Sequence, residues 1–163
     1  PGSAMRSSEG PAPFEQVVRQ HGPRVLSVCR GLVDAADVDD AWSETFVAAL
    51  RAWPDLPTDL DVEAWLVTVA RRKCIDVHRA RARRATDPVA ELPERATSAA
   101  EQGDAGIWRH VAALPDKQRH VITYRYLGGL SYAQIVDLVG GSPAAARRAA
   151  SDGLKTLRDK EIR

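Results

Sequence analysis

"LSYAQIVDLVGGSPAAARRAASDG", Leu130 to Gly153, decides how the C-terminal third of the chain is read. Ser131 is a good N-cap for a short helix whose Ile135 and Leu138 point inward, and Ala133 is small where two helices approach closely. Gly140-Gly141 supply the positive φ of a tight turn. Ser142 then caps a second helix with Pro143 at its first position, a strong start signal. Two short helices joined by a glycine turn outline a helix-turn-helix, although any small helical bundle can contain such a pair.

The second helix is unusual for a DNA reader. Ala146, Ala150, Leu154 and Leu157 make its buried stripe, and the exposed face reads Ala145, Arg148, Ala149, Asp152 with Arg147 and Ser151 alongside. Base edges are normally read by long side chains in the N-terminal half of such a helix. Here that half offers Pro143, Ala144 and Ala145, and alanine can only touch a thymine methyl or let the backbone come close. Arg147 and Arg148 can grip phosphates, which position a protein without telling sequences apart. Gly153, inside the helix, costs about 1 kcal/mol relative to alanine and weakens the case for a long rigid reader.

Outward from this stretch, apolar residues recur at helical spacing almost throughout and no segment alternates as a half-buried strand does, so the expected fold is all-α. The spacing predicts a helix over 14–32, bent or split at Gly22-Pro23 because proline removes a helical hydrogen bond. A second helix, about 36–53, carries Val38, Ala41, Trp42, Thr45, Phe46, Ala49, Leu50 and Trp53 on one stripe, with Asp34 or Asp37 as its cap. After the loop "PDLPTDLD" a third helix begins near Asp61, with Val62, Trp65, Leu66, Val69, Ala70, Cys74 and Val77 inward and Arg71, Arg72, His78, Arg79 and Arg83 outward. The run at 85–104 is small, polar and proline-bearing, and reads as a flexible linker. Four helices are expected beyond it, near 105–113, 116–127, 132–139 and 143–157, with Pro115 opening the second and Gly128-Gly129 ending it. The division is therefore 1–13 as a tag remnant ("PGSAM") and disordered N-terminus, 14–84 and 105–163 as two small helical domains, and 85–104 between them.

The net charge of +1 hides a segregation. Nine acids (Asp34, Asp37, Asp39, Asp40, Glu44, Asp55, Asp59, Asp61, Glu63) face one base, Arg51, between 34 and 63. Seven bases (Arg71, Arg72, Lys73, Arg79, Arg81, Arg83, Arg84) face one acid, Asp76, between 71 and 84. Opposite blocks in neighbouring helices suggest two partners, one of them polyanionic. No apolar run approaches the roughly 20 residues of a membrane span, which points to a cytoplasmic protein with no membrane partner. Cys29 and Cys74 stand apart from any metal-binding spacing and read as buried small hydrophobes. His21, His78, His110 and His120 are scattered, and no Walker loop, GxGxxG, HExxH or nucleophile motif is present, so neither an enzyme, a metal site nor a cofactor is expected.

Four stretches in series, "FEQVVRQHGPRVLSVCRGL", "DVDDAWSETFVAALRAW", "DVEAWLVTVARRKCIDVHRARARR" and "LPDKQRHVITYRYLGGLSYAQIVDLVG", resemble the extracytoplasmic-function (group IV) sigma factors of bacterial RNA polymerase. The resemblance covers 14–158 and implies a sigma region two-like bundle followed by a sigma region four-like helix-turn-helix. It implies a protein that directs the polymerase core to promoters and assists their opening, contacting the β′ clamp helices, the β flap and promoter DNA, with an anti-sigma factor or other regulatory protein as a further partner. Carried over residue by residue, the polymerase contacts are Asp39, Asp40, Ser43, Glu44 and Val47. Downstream-element contacts are Trp65, Arg71, Arg72, Lys73 and Arg79, and upstream-element contacts are Arg119, Tyr132, Ser142, Arg147 and Arg148. Ser43 stands where the family usually has glutamine, Arg72 where asparagine is common, and Ala146, Arg147, Ala149 and Asp152 where a valine and basic residues are common. Those departures leave an alternative open, a sigma-like regulator or protein-interaction module with weakened DNA readout.

Overall fold

Every regular element among the described residues, 13–85 and 99–161, is helical in the computed structural model. α1 (Phe14–Leu32), α2 (Val38–Ala52) and α3 (Val62–Ala85) pack on one another in the first half. In the second half come α4 (Ala99–Ala112), α5 (Asp116–Ile122), α6 (Tyr132–Val139) and α7 (Pro143–Glu161). Residues expected as the tag remnant and most of those expected as the linker lie outside the described residues.

α1 is one uninterrupted helix, not two, with Pro23 inside it. The proline is exposed while Gly22 is buried, and the Trp42 indole of α2 donates to the Gly22 carbonyl at 2.9 Å, so α2 holds α1 where proline weakens it. Asp34 and Asp37 make no side-chain cap on α2, which is entered instead through a 3-10 turn, Ala35–Asp37. Leu50, expected inward, is 54% exposed, because Phe14, Phe46 and Trp53 fill the core at that level with ring centroids 5.8 and 6.3 Å apart. α3 buries Leu66, Val67, Ala70 and Cys74, and its Asp61 carboxylate accepts from the Ala64 amide at 3.2 Å. Val67 escapes the single-stripe reading because α3 is gripped by α1 on one side and α2 on the other. Cys74 meets Cys29 of α1 in the core, where their hydrogen bond and burial push the Cys74 thiol up.

α4 starts at Ala99, inside the expected linker, and "AAEQ" consists of good helix formers. Pro115 takes the cap position rather than the first helical one, accepting from the Arg119 amide at 2.9 Å. α5 then widens into a π turn, Thr123–Leu127, where the Gly128 amide reaches back to the Thr123 carbonyl at 2.8 Å. Gly129, at φ +73°, ends the run. Ser131 and Gln134 form a reciprocal capping box on α6, Gly140 and Gly141 adopt φ +82° and +88°, and the Ser142 hydroxyl accepts from the Ala145 amide at 3.1 Å. Ala133 is exposed rather than wedged between helices. Ala149 is buried rather than exposed, because α7 is packed by α4, α5 and α6 together. α7 runs unbroken through Gly153, where a Cβ would lie 2.2 Å from Ile122 Cδ1, so this glycine permits close approach to α5.

The two halves pack directly, and their buried side chains form one cluster. α1 is the seam: it meets α4, α5 and the π turn. Gly31 lies so close to Thr123 that a Cβ there would sit 2.4 Å from Oγ1, and Arg30 stacks over the Trp108 ring at 4.7 Å. The Thr123 hydroxyl is buried without a hydrogen-bond partner. Gly31→Ala should therefore destabilise the protein by about 1–3 kcal/mol through overpacking. Thr123→Val, which removes the orphan hydroxyl at equal volume, should stabilise it by about 1 kcal/mol. Denaturant unfolding of both variants checks the opposite signs.

Candidate polymerase and nucleic-acid interfaces

The acidic face of α2 is set by its core face. Burying Val38, Ala41, Thr45, Phe46 and Ala49 forces Asp39, Asp40, Ser43, Glu44 and Val47 outward, and all five are exposed. The Thr45 hydroxyl is satisfied inside the helix by the Ala41 carbonyl at 2.6 Å. Val47 and Leu50, 48% and 54% exposed, put an apolar ridge beside the carboxylates. That combination suits a protein partner better than open solvent. Sequence reading missed Leu50, and the one signal for it was its place three residues after Val47 at the edge of the stripe.

α3 sends its cations in three directions. Arg72, Asp76, Arg79 and Arg83 recur at helical spacing and are exposed. Arg81 turns back, donating from Nε and Nη2 to both carboxylate oxygens of the buried Asp37, the second contact at 3.1 Å, with Asp34 also near at 3.6 Å. This fork fixes the basic helix against the start of the acidic one. Arg71 is half-buried and, with Ile75, His78 and Arg79, lines a cleft whose opposite wall is Asp116, Arg119, His120 and Tyr124. Lys73 is half-buried, and Trp65 packs partly into the core rather than standing free. The expected downstream contacts therefore do not share one surface: Arg72 is open, Arg79 is exposed at the rim of the cleft, and Arg71 faces the second half.

On the helix-turn-helix, Tyr132 organises the cations. Arg125 and Arg147 both sit over its ring, at 4.7 and 5.4 Å, and Arg125 Nη1 donates to the Leu130 carbonyl at 3.0 Å. A cation over an exposed aromatic face contributes about 0.5–1 kcal/mol, enough to favour this orientation of Arg147 by about two- to five-fold. Arg148 is exposed, with no ion-pair partner among the described residues, and Ser142 serves the α7 cap. Arg119 is not part of this group. It lines the cleft, pairs with Asp116 at 3.2 Å through Nη2, and buries its Nε without a partner. Arg125 was overlooked because its role depends on a turn that brings it to Tyr132.

His120 feels the cleft's field. Burial, then Arg119 and Arg71, hold its imidazole below the ordinary 6.5, while Asp116 acts the other way. Burial likewise pushes the Tyr124 phenol up. Since the folded state resists protonating His120, the unfolded chain takes up more protons as pH falls through 6.5, and stability should drop across that window. His120→Gln should flatten the dependence, as read by melting temperature between pH 7.5 and 5.5. Asp37→Ala should lose about 1–3 kcal/mol in urea unfolding, a value reduced from that of a fully buried pair because Arg81 is a third exposed.

Known proteins resemble this arrangement over both halves. The sigma-70 region 2 family matches 17–84, and the sigma-70 region 4 family matches 106–157. ECF RNA polymerase sigma factor SigF of Caulobacter vibrioides is 33% identical over 126 residues, 76% of this chain and 70% of the relative. ECF RNA polymerase sigma factor SigD of Mycobacterium tuberculosis is 28% identical over 163 residues, 91% of this chain and 77% of the relative. Among solved structures, CnrH in complex with the cytosolic domain of CnrY superposes with a TM-score of 0.65 at 25% identity, covering 90% of this chain and 85% of that one. Among the described residues, no helix is long and apolar enough to cross a membrane.

Proposed function

This chain belongs to the ECF RNA polymerase sigma factors, and from that membership we propose how its charged helices divide the work. It is a sigma factor: it directs the polymerase core to promoters in transcription initiation, and it is not an enzyme. Similarity running through both halves favours this over a sigma-like regulator or protein-interaction module with weakened DNA readout.

Asp39, Asp40, Ser43, Glu44 and Val47, joined by Leu50, form the face for the β′ clamp helices. Exposed carboxylates steer the encounter, and the Val47–Leu50 ridge supplies apolar area once water is expelled. Arg72 and Arg79, with Lys73 and Trp65 behind them and Arg71 when the halves part, hold the opened downstream strand by neutralising its phosphates. Tyr132, Ser142, Arg147 and Arg148 position α7 on the upstream element through the backbone, and few base contacts are available beyond alanine methyls. The upstream half also meets the β flap. The functional division is 14–84, a linker at 85–104, and 105–163, in a cytoplasmic protein that needs no cofactor. The complex of CnrH with the cytosolic domain of CnrY supports an anti-sigma factor or other regulatory protein as a further partner here.

The observation that carries the reading is an exposed acidic face on α2 beside a basic helix that the Asp37–Arg81 fork fixes to its start. Asp40→Lys with Glu44→Lys should weaken capture of core polymerase at least tenfold while leaving the melting temperature within a degree or two, because both positions are exposed. Arg147→Ala with Arg148→Ala should reduce the slope of log affinity for promoter DNA against log salt by roughly one per arginine. Failure of the unaltered protein to bind core polymerase at all would overturn the assignment.

A further inference from the structure

The cleft between α3 and α5 carries more positive charge than its own acids can balance. Arg30, Arg71, Arg79 and Arg119 line it, against Asp34 and Asp116. Both aspartates are already engaged, Asp34 beside Arg81 and Asp116 with Arg119. Arg71 and Arg79 have no ion-pair partner among the described residues, and Arg119 Nε is buried with its donor unused. The guanidinium of Arg30 stacks on Trp108, a placement that fixes its plane and leaves its edge donors free. His120 registers the same excess, since Arg119 and Arg71 add to burial in disfavouring its protonation.

Shape agrees with charge. The cavity holds about 280 Å³, just below the roughly 300–1,000 Å³ typical of drug-sized ligand sites, which leaves room for a small anion. Arginines of three helices line it, and guanidinium forks recognise planar or tetrahedral oxyanions by paired hydrogen bonds. We propose that this cleft between the two halves binds a small phosphate-bearing anion, about the size of pyrophosphate, and that the anion clamps the halves together. Arg30, Arg71 and Arg79 belong to the first half and Arg119 to the second, so only the packed arrangement assembles the site. On the functional reading above, Arg71 and Arg79 are also promoter-strand contacts, and the bound anion competes with DNA for them.

The test is calorimetric titration of the full chain with pyrophosphate in chloride buffer at constant ionic strength. Saturable binding of one equivalent is expected, with the affinity lowered at least tenfold by Arg119→Gln and by Gly31→Ala, which pries the seam, and unchanged by Lys155→Gln on the exposed side of α7. Circular dichroism shows whether Gly31→Ala and Arg119→Gln keep their helices; Arg119→Gln, on a side chain 23% exposed, serves as the second probe. Saturating pyrophosphate should also narrow the distribution of particle sizes in small-angle scattering. Absence of saturable heat, equal heat from added sodium chloride, or undiminished binding by Arg119→Gln would overturn the proposal. Neither polymerase nor promoter DNA enters this titration, so its failure leaves the sigma-factor reading standing, and failure of polymerase capture leaves the anion site standing.

Discussion

Contact between the Thr123–Leu127 turn and the bare backbone at Gly31 sets the terms for the rest of the molecule. Glycine there lets Thr123 approach to a distance no other residue would allow, and the seam closes around Val28, Gly31, Thr123 and Tyr124. The closed form also buries two polar atoms without partners, the Thr123 hydroxyl and Arg119 Nε. Each unsatisfied group of this kind costs about 1–3 kcal/mol, which offsets part of what apolar burial contributes. On the proposed function, a seam with good packing and poor polar satisfaction parts when polymerase or DNA competes for its residues.

Electrostatics explain why the parting matters. Exposed acids on α2 are available whether the halves are together or apart, whereas Arg71 is half-buried against the second half. On the proposed function, the surface for polymerase is thus open in the packed form, and the strand-holding surface is complete only when the halves part. The fork between Arg81 and Asp37 ties one residue of the basic block to the start of the acidic one, while Arg72 stays exposed and Arg79 is exposed at the rim of the cleft.

Much of this was readable from residue order. The Ser131 and Ser142 caps, the glycine turn between them, and most of the core face of α2 follow from local chemistry, which neighbours in sequence determine. What escaped was set by third parties. Leu50 is exposed because aromatic rings already occupy its level of the core, and Ala149 is buried because three helices surround α7 where a single-stripe reading assumes one. Arg119 had the composition of a DNA contact, and only the seam turns it into the cleft. Charge blocks announced that two surfaces exist without revealing that one of them is shared between the halves.

Gly153 has a consequence for how this chain could diversify. By letting α7 lie flush on Ile122, it makes the back of the helix a fixed mount whose seating owes nothing to the front. Ala144 and Arg148 face solvent, and exchanging them disturbs no buried neighbour. The alanine-rich front is accordingly a blank plate: a few longer side chains could engrave a new promoter preference on it, while the mount behind tolerates almost no revision.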